Sequence, residues 1–128
     1  MNGHNVALIA AGLIGSGVAV VHGVLTHRLM TVPWMRLSGG DAQIVPPIRR
    51  LVPALLQFST FNWFLGGLAL IAAALWLGPE ARRVTGLLVG SSYLYGAIGN
   101  GWGVRGMHPG WMLYAVALGL IAYGIAGD

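Results

Sequence analysis

Residues 6–26 read VALIAAGLIGSGVAVVHGVLT, a run of apolar and small residues that only Ser16, His22 and Thr26 interrupt with polar side chains. At 1.5 Å per residue, about 20 helical residues cross the roughly 30 Å hydrocarbon core of a bilayer. No Lys or Arg precedes the run, whereas a secretory signal begins with a positively charged stretch. We therefore expect a membrane-spanning helix that is retained in the mature protein.

The rest of the sequence repeats this pattern. Three further apolar runs contain no Asp, Glu, Lys or Arg, and they cover residues 51–77, 84–104 and 109–126. Apolar residues make up 56% of the chain and charged residues 8%, against about 25% charged in typical soluble domains. So few charges cannot cover a water-exposed surface. The sequence therefore predicts an all-α integral membrane protein, a single membrane domain over residues 1–128 that folds as an antiparallel bundle of four transmembrane helices.

Arginine side chains mark the ends of the predicted spans. Most lie in the connections 27–50 and 101–110, and only Arg82 and Arg83 lie in the connection between the second and third spans. Since cytoplasmic loops are enriched in Lys and Arg, we expect connections 27–50 and 101–110 to face the cytoplasm at a bacterial inner membrane. Residues 27–50 mix apolar residues with arginines and are expected to form an interfacial loop. The arginines are not clustered as a phosphate-binding surface requires, so no nucleic-acid partner is predicted.

Small residues recur at four-residue intervals within the predicted spans. Lipid supplies no hydrophobic drive for helices to associate, so close approach at small residues must hold them together. The helix-packing positions that we predict are Gly15 and Ala19 in the first span and Gly86, Gly90 and Gly96 in the third. Small-residue ridges that remain outside the bundle would allow a homo-oligomer or a larger membrane complex to form.

Three polar residues of three different spans are predicted to lie at one depth. His22, Gln57 and Asn100 are each about six residues from the middle of their span, which places them about 9 Å toward the predicted cytoplasmic connections. On helical wheels Thr60 shares the face of Gln57, and Tyr93 shares the face of Asn100. Because polar side chains of a membrane protein face the bundle interior, these five residues are the candidates for a polar core or a ligand site.

Two interpretations of this polar layer remain open. In the first, the side chains hydrogen-bond to one another and fix the register of the helices. In the second, they line a small polar cavity open to the cytoplasmic side, where His22 exchanges a proton or holds a haem or a metal ion. No catalytic residue is predicted, because neither Asp41 nor Glu80 lies where its carboxylate would pair with His22. The chain has no cysteine, so no thiolate metal site is predicted, and the sequence identifies no cofactor.

These features support three hypotheses about function. The first is a small non-catalytic membrane protein, a scaffold or accessory subunit that acts through helix–helix contacts within the lipid bilayer. The second is a transporter or channel for a small neutral or proton-linked solute, which uses the layer of His22, Gln57 and Asn100. The third is a binder of haem, a quinone or a pigment. The abundance of small residues and the lack of charge within the spans favour the first hypothesis.

Overall fold

The chain is almost entirely helical in the computed structural model, which describes residues 1–127. No strand occurs among these residues, so the all-α class that the sequence predicts is confirmed. A π-helical turn, His27–Thr31, joins the first two α-helices without a break. The α-helices are α1 (Gly3–Thr26), α2 (Val32–Ser38), α3 (Pro46–Trp76), α4 (Pro79–Val104) and α5 (Pro109–Ala126).

The helices begin and end where the local sequence favours a boundary. Pro46, Pro79 and Pro109 each begin a helix, at a position where the missing N–H has no helical partner to lose. The side chain of Asn2 caps α1 by accepting a hydrogen bond of 2.9 Å from the backbone N–H of Asn5. At the end of α4, Arg105 adopts the left-handed conformation with φ 49°, in which many helices terminate.

Helix covers the four predicted spans, apart from Leu77 at the end of the second, and also much of the connection between the first two. Residues 27–50 were expected to form an interfacial loop, but helix continues through Ser38 and resumes at Pro46, so only residues 39–45 lie outside helices. The second span was predicted to begin at residue 51, whereas α3 begins at Pro46, because proline is well tolerated at the first helical positions, where its missing N–H has no helical partner. The π-helical turn directly precedes α2, in which Pro33 must interrupt the hydrogen-bond ladder.

A proline inside α3 leaves a backbone carbonyl free to accept a hydrogen bond from α2. Pro53 has no N–H, so the carbonyl oxygen of Arg49, four residues earlier, loses its helical hydrogen-bond donor. The indole Nε1–H of Trp34 in α2 donates to this carbonyl at 3.4 Å. The gap that the proline leaves in α3 is therefore filled by a side chain of the preceding helix.

Within residues 1–127, three helical stretches are long and apolar enough to cross a membrane, namely Gly3–Ser38, Pro46–Trp76 and Pro109–Ala126. The remaining long helix, α4, contains the predicted span 84–104. It is less apolar because several glycines, two serines and Asn100 take positions that aliphatic side chains occupy in the other helices. Composition and not length thus separates α4 from the other long helices, because α4 has 26 residues and α5 has 18.

The four long helices pack side by side around buried aromatic rings. Both α1 and α4 contact both α3 and α5. The largest fully buried side chains include Leu8, Leu70, Tyr93 and Tyr114, one from each long helix. The closest backbone approach is between α1 and α3, where a Cβ added to Gly67 would lie 2.5 Å from the carbonyl oxygen of Gly12.

The exposed surface of the long helices is strongly apolar. Leu13, Leu55, Phe58 and Leu88, which are spread over three helices, are between 62% and 70% exposed. Water-soluble proteins place most side chains of this kind inside, and large contiguous apolar patches mark surfaces that contact something other than water. The outer surface therefore has the character of a contact surface rather than of a solvated one.

Candidate functional site: a polar helix interface and an adjoining groove

His22 lies half-buried at the interface of α1 and α3. Its Nε2 is 3.2 Å from the hydroxyl of Thr26, one turn further along α1, and 3.3 Å from the hydroxyl of Ser59 on α3. The imidazole meets the ring of Trp63 edge-on, with ring centroids 4.8 Å apart and planes at 64°. One ring nitrogen of His22 is therefore occupied by two hydroxyl groups, and the ring orientation is fixed by the indole.

Gln57 and Thr60 contact α1 at Gly23. The side-chain Nε2–H of Gln57 donates to the Gly23 carbonyl oxygen at 3.0 Å, which adds a hydrogen bond between α1 and α3. The side chain of Thr60 packs against the same glycine, since a Cβ added there would lie 2.6 Å from its Cγ2. The hydroxyl of Thr60 is buried and has no hydrogen-bond partner among the described residues. Both side chains thus pack against the backbone of α1 and do not reach His22.

Tyr93 lies at the centre of the helices among aromatic rings. Its hydroxyl donates to the carbonyl oxygen of Trp63 at 3.2 Å, and its ring centroid is 4.8 Å from that of Tyr114. The rings of Trp63 and Tyr114 are 5.1 Å apart in an edge-on arrangement. The Tyr93 hydroxyl also fills the space beside Gly15, where an added Cβ would lie 1.9 Å from it. These three rings, which we call the aromatic core, occupy the middle of the helix packing.

Asn100 bonds to its own helix, because its side-chain Nδ2–H donates to the Gly96 carbonyl oxygen at 2.8 Å. His22, Gln57 and Asn100 therefore each have a separate set of hydrogen-bond partners and do not form one network. The structure nevertheless brings His22 and Asn100 to the wall of one cavity, whereas Gln57 is not part of that wall.

This cavity is an open groove of about 460 Å³ between α1, the end of α4 and the start of α5. Most of its wall is aliphatic, and its polar side chains are His22, Asn100 and His108. No Asp, Glu, Lys or Arg lines it. The complete wall consists of Leu13, Ile14, Gly17, Val18, Val21, His22, Leu25, Asn100, His108, Pro109, Gly110 and Leu113. Its volume lies within the range of about 300–1,000 Å³ that is typical of sites for small molecules.

His108 is the polar residue of this groove that the sequence analysis does not count among the candidate site residues. It caps α5, and its Nδ1 accepts a hydrogen bond of 3.1 Å from the backbone N–H of Gly110. An imidazole nitrogen that accepts a hydrogen bond carries no proton, so in the neutral ring the proton is on Nε2. The signal in the sequence was the tripeptide His108-Pro109-Gly110, since a capping side chain directly before a proline is typical of a helix start.

The predicted packing residues lie at helix contacts of different closeness. Ala19 is fully buried. A Cβ added at Gly86 would lie 2.5 Å from Ile125, and one at Gly96 would lie 2.7 Å from Trp63. At Gly90 the nearest atom would be 3.7 Å away, which is an ordinary contact. The close backbone pair Gly12 and Gly67 was not predicted, although the double glycine at 66 and 67 was visible.

Within residues 1–127, no group of three or more His, Cys, Asp or Glu side chains is arranged to hold a metal ion. Comparisons with protein-family models, with curated proteins and with solved structures find no match to this chain. The function therefore has to be argued from the geometry of the chain itself.

Proposed function

We propose that this chain is a small non-catalytic integral membrane protein, built as an antiparallel bundle of four spans, which acts through helix–helix contacts as a scaffold or accessory subunit. The observation that supports it is the distribution of polarity. Large aliphatic and aromatic side chains cover the outside, while polar side chains such as Gln57, Ser59 and Tyr93 hydrogen-bond to neighbouring helices. This arrangement suits lipid, because a polar group in hydrocarbon must find its partner within the protein.

The contacts between helices support the antiparallel arrangement. Along α1 and α3 the residue numbers of contacting partners run in opposite directions, from Gly12 with Gly67 to Gly23 with Thr60. The same holds for α4 and α5, where Gly86 faces Ile125 and Gly101 faces Trp111. Neighbouring helices that alternate in direction are what a chain crossing a bilayer repeatedly with short connections must form.

The helix α4 is included as the third span although it is the least apolar of the long helices. Its outward-facing side chains are apolar, and Leu87, Leu88 and Ile98 are all more than half exposed. Several of its glycines and polar residues face other helices instead, as Ser92 does when its hydroxyl accepts a hydrogen bond of 3.0 Å from the side chain of Asn62. A helix whose polar positions are covered by neighbours needs less overall hydrophobicity to lie in lipid.

A role through contacts fits the interior better than a role in transport. The aromatic core of Trp63, Tyr93 and Tyr114 occupies the region that a path through the bundle would have to cross. On the outside, an added Cβ at Gly99 would meet nothing within 4 Å, so the backbone is accessible there to a helix from another chain. We therefore propose a second copy or a larger membrane complex as the partner, and we do not adopt the transport hypothesis.

The contact function is tested by extracting the chain directly from its own membranes into lipid nanodiscs and measuring the mass of the particle. The expected result is a protein mass above that of one 13.4 kDa chain, from further copies or a co-isolated partner. A single chain with no partner in every preparation would contradict a contact function.

The proposed orientation has its own test, since the chain has no native cysteine. Gly40 and Gly78 are matched exposed sites, and neither would place a Cβ within 4 Å of another group. In intact cells, a membrane-impermeant maleimide is expected to label Gly78→Cys and to spare Gly40→Cys. Labelling with the opposite preference would invert the orientation.

A further inference from the structure

The groove between α1, α4 and α5 is polar at one end only. Along α1 its wall extends from Leu13 to Leu25, twelve residues apart, which corresponds to roughly 18 Å of helix, and His22 lies one turn before the Leu25 end. His22, Asn100 and His108 supply its polar atoms near the point where α4 ends and α5 begins, while the part toward Leu13 is aliphatic. A molecule that fits this groove has a compact polar head and an apolar tail.

The charge of the wall restricts the head group further. No Asp, Glu, Lys or Arg lines the groove, so an ionised head group would lie there without a permanently charged partner. Leaving a charge unpaired in a low-dielectric region is strongly unfavourable. The wall therefore favours an uncharged head group over a phospholipid phosphate or a fatty-acid carboxylate.

The hydrogen-bonding atoms of the wall indicate a carbonyl-bearing head. Because Nδ1 of His108 caps α5, its Nε2–H is available as a donor. Asn100 uses one N–H on Gly96 and retains its second N–H and its carbonyl oxygen. The Nε2–H of His108 and the second N–H of Asn100 are both suited to donate to a carbonyl oxygen on a ring of the ligand. The amide oxygen of Asn100 is suited to accept from a hydroxyl on that ring, or from the hydroxyl that the carbonyl becomes when the ring is reduced.

We propose that this groove binds a lipid-soluble quinone, with the carbonyl-bearing ring at His108 and Asn100 and the tail along α1 toward Leu13. The proposal rests on the proposed membrane location, because such a ligand reaches the groove through lipid. The lateral opening fits this route, since Leu13 and Val21 at its edge are 62% and 59% exposed. At Gly17 nothing lies within 4 Å of an added Cβ, so this position leaves space for the tail.

The probe for the test is a decyl-substituted benzoquinone, titrated into nanodiscs of neutral phosphatidylcholine that contain the full chain. Quinones quench tryptophan fluorescence, and Trp63 lies in ring contact with His22 at the groove wall. Quinone dissolved in the lipid quenches in proportion to its concentration, whereas a site saturates. The measurement is therefore the saturable part of the quenching, after insertion of the chain has been verified by co-elution with the nanodisc.

Gly17→Leu is the blocking variant and Gly119→Leu its matched control. Both glycines are exposed, lie within apolar helices and have no neighbour within 4 Å of an added Cβ, but only Gly17 lines the groove. The wild type and Gly119→Leu are expected to bind equally, and Gly17→Leu to raise the dissociation constant at least about tenfold. His108→Asn keeps a side chain that caps helices and removes the Nε2 donor, so a weakening of about fivefold is expected.

The outcomes separate the groove proposal from the membrane proposal. A chain that does not insert into nanodiscs overturns the membrane location and, with it, the route of the ligand. An inserted chain that gives only linear quenching overturns the groove proposal alone. Equal effects of Gly17→Leu and Gly119→Leu, or unchanged affinity in His108→Asn, would place any quinone elsewhere on the protein and would also overturn it.

Discussion

Gly67→Ala tests whether close backbone contact holds α1 against α3. A Cβ at this position would lie 2.2 Å from the Ser16 hydroxyl oxygen and 2.5 Å from the carbonyl oxygen of Gly12. The second distance is about 0.9 Å short of the 3.4 Å at which ordinary contact begins. A backbone carbonyl cannot rotate away as a flexible side chain can, so the two helices must move apart.

The expected loss of stability follows from what this separation changes. Overpacking of a close contact costs about 1–3 kcal/mol. Separation also weakens the bonds from Ser16 to the Phe64 carbonyl and from Gln57 to the Gly23 carbonyl, at about 0.6 kcal/mol each. Replacing glycine by alanine in a helix returns up to about 1 kcal/mol. The net expectation is a decrease of about 2 kcal/mol in the free energy of unfolding.

The assay is reversible unfolding in mixed micelles, followed by circular dichroism. The matched control is Gly119→Ala, because a Cβ added to Gly119 meets nothing within 4 Å. The control is expected to be as stable as the wild type or up to about 1 kcal/mol more stable. If Gly67→Ala and Gly119→Ala unfold with the same free energy, the backbone contact between α1 and α3 does not limit the packing and the reasoning fails.

Further predictions concern the aromatic core and the docking of α2. Tyr93→Phe removes only the hydroxyl bond to the Trp63 carbonyl and is expected to lower the free energy of unfolding by about 0.6 kcal/mol, whereas Tyr93→Ala empties a fully buried site and is expected to lower it by about 3–5 kcal/mol. Equal losses in the two variants would mean that the ring contributes little. Trp34→Phe removes the donor to the Arg49 carbonyl, so trypsin is expected to cut within residues 27–45 faster than in the wild type. Pro53→Ala restores a helical N–H for the Arg49 carbonyl but does not restore the hydrogen bond from α2. The double variant of Trp34→Phe and Pro53→Ala is therefore not expected to return to the cutting rate of the wild type. Recovery of protection in the double variant would show that α2 is held by other contacts.

Local sequence was sufficient for the helical class and for the ends of α3, α4 and α5, whereas the second and third spans were predicted to begin at residues 51 and 84 and their helices begin at Pro46 and Pro79. Long runs without charge, such as residues 6–26, have one stable form when their backbone groups must bond within the segment, and that form is the helix. The prolines at 46, 79 and 109 mark helix starts that depend only on the residues beside them. The connection 27–50 was less predictable, because Pro33 and Pro46 are compatible either with a break or with a helix that adapts around them.

The candidate site depends on information that a single helix does not contain. Counting residues along the spans places His22 and Asn100 at one depth, but their hydrogen-bond partners depend on how the helices cross and rotate. His22 bonds to Ser59, which lies on a different face of α3 from Gln57, and Asn100 bonds within α4. The groove likewise exists because α5 begins at Pro109, close to the end of α4. Sequence spacing indicates none of these relations between helices, and only the packed structure supplies them.

The proposed membrane location is tested most directly at Leu88, on the least apolar of the four long helices. The side chain is 70% exposed, so its environment reports whether the outer face of α4 meets lipid or water. In membrane vesicles opened to both sides, we predict that Leu88→Cys does not react with a water-soluble maleimide, although Gly40→Cys does, and that both react fully after denaturation in detergent. Reaction of Leu88→Cys in intact membranes at the rate of Gly40→Cys would contradict the account.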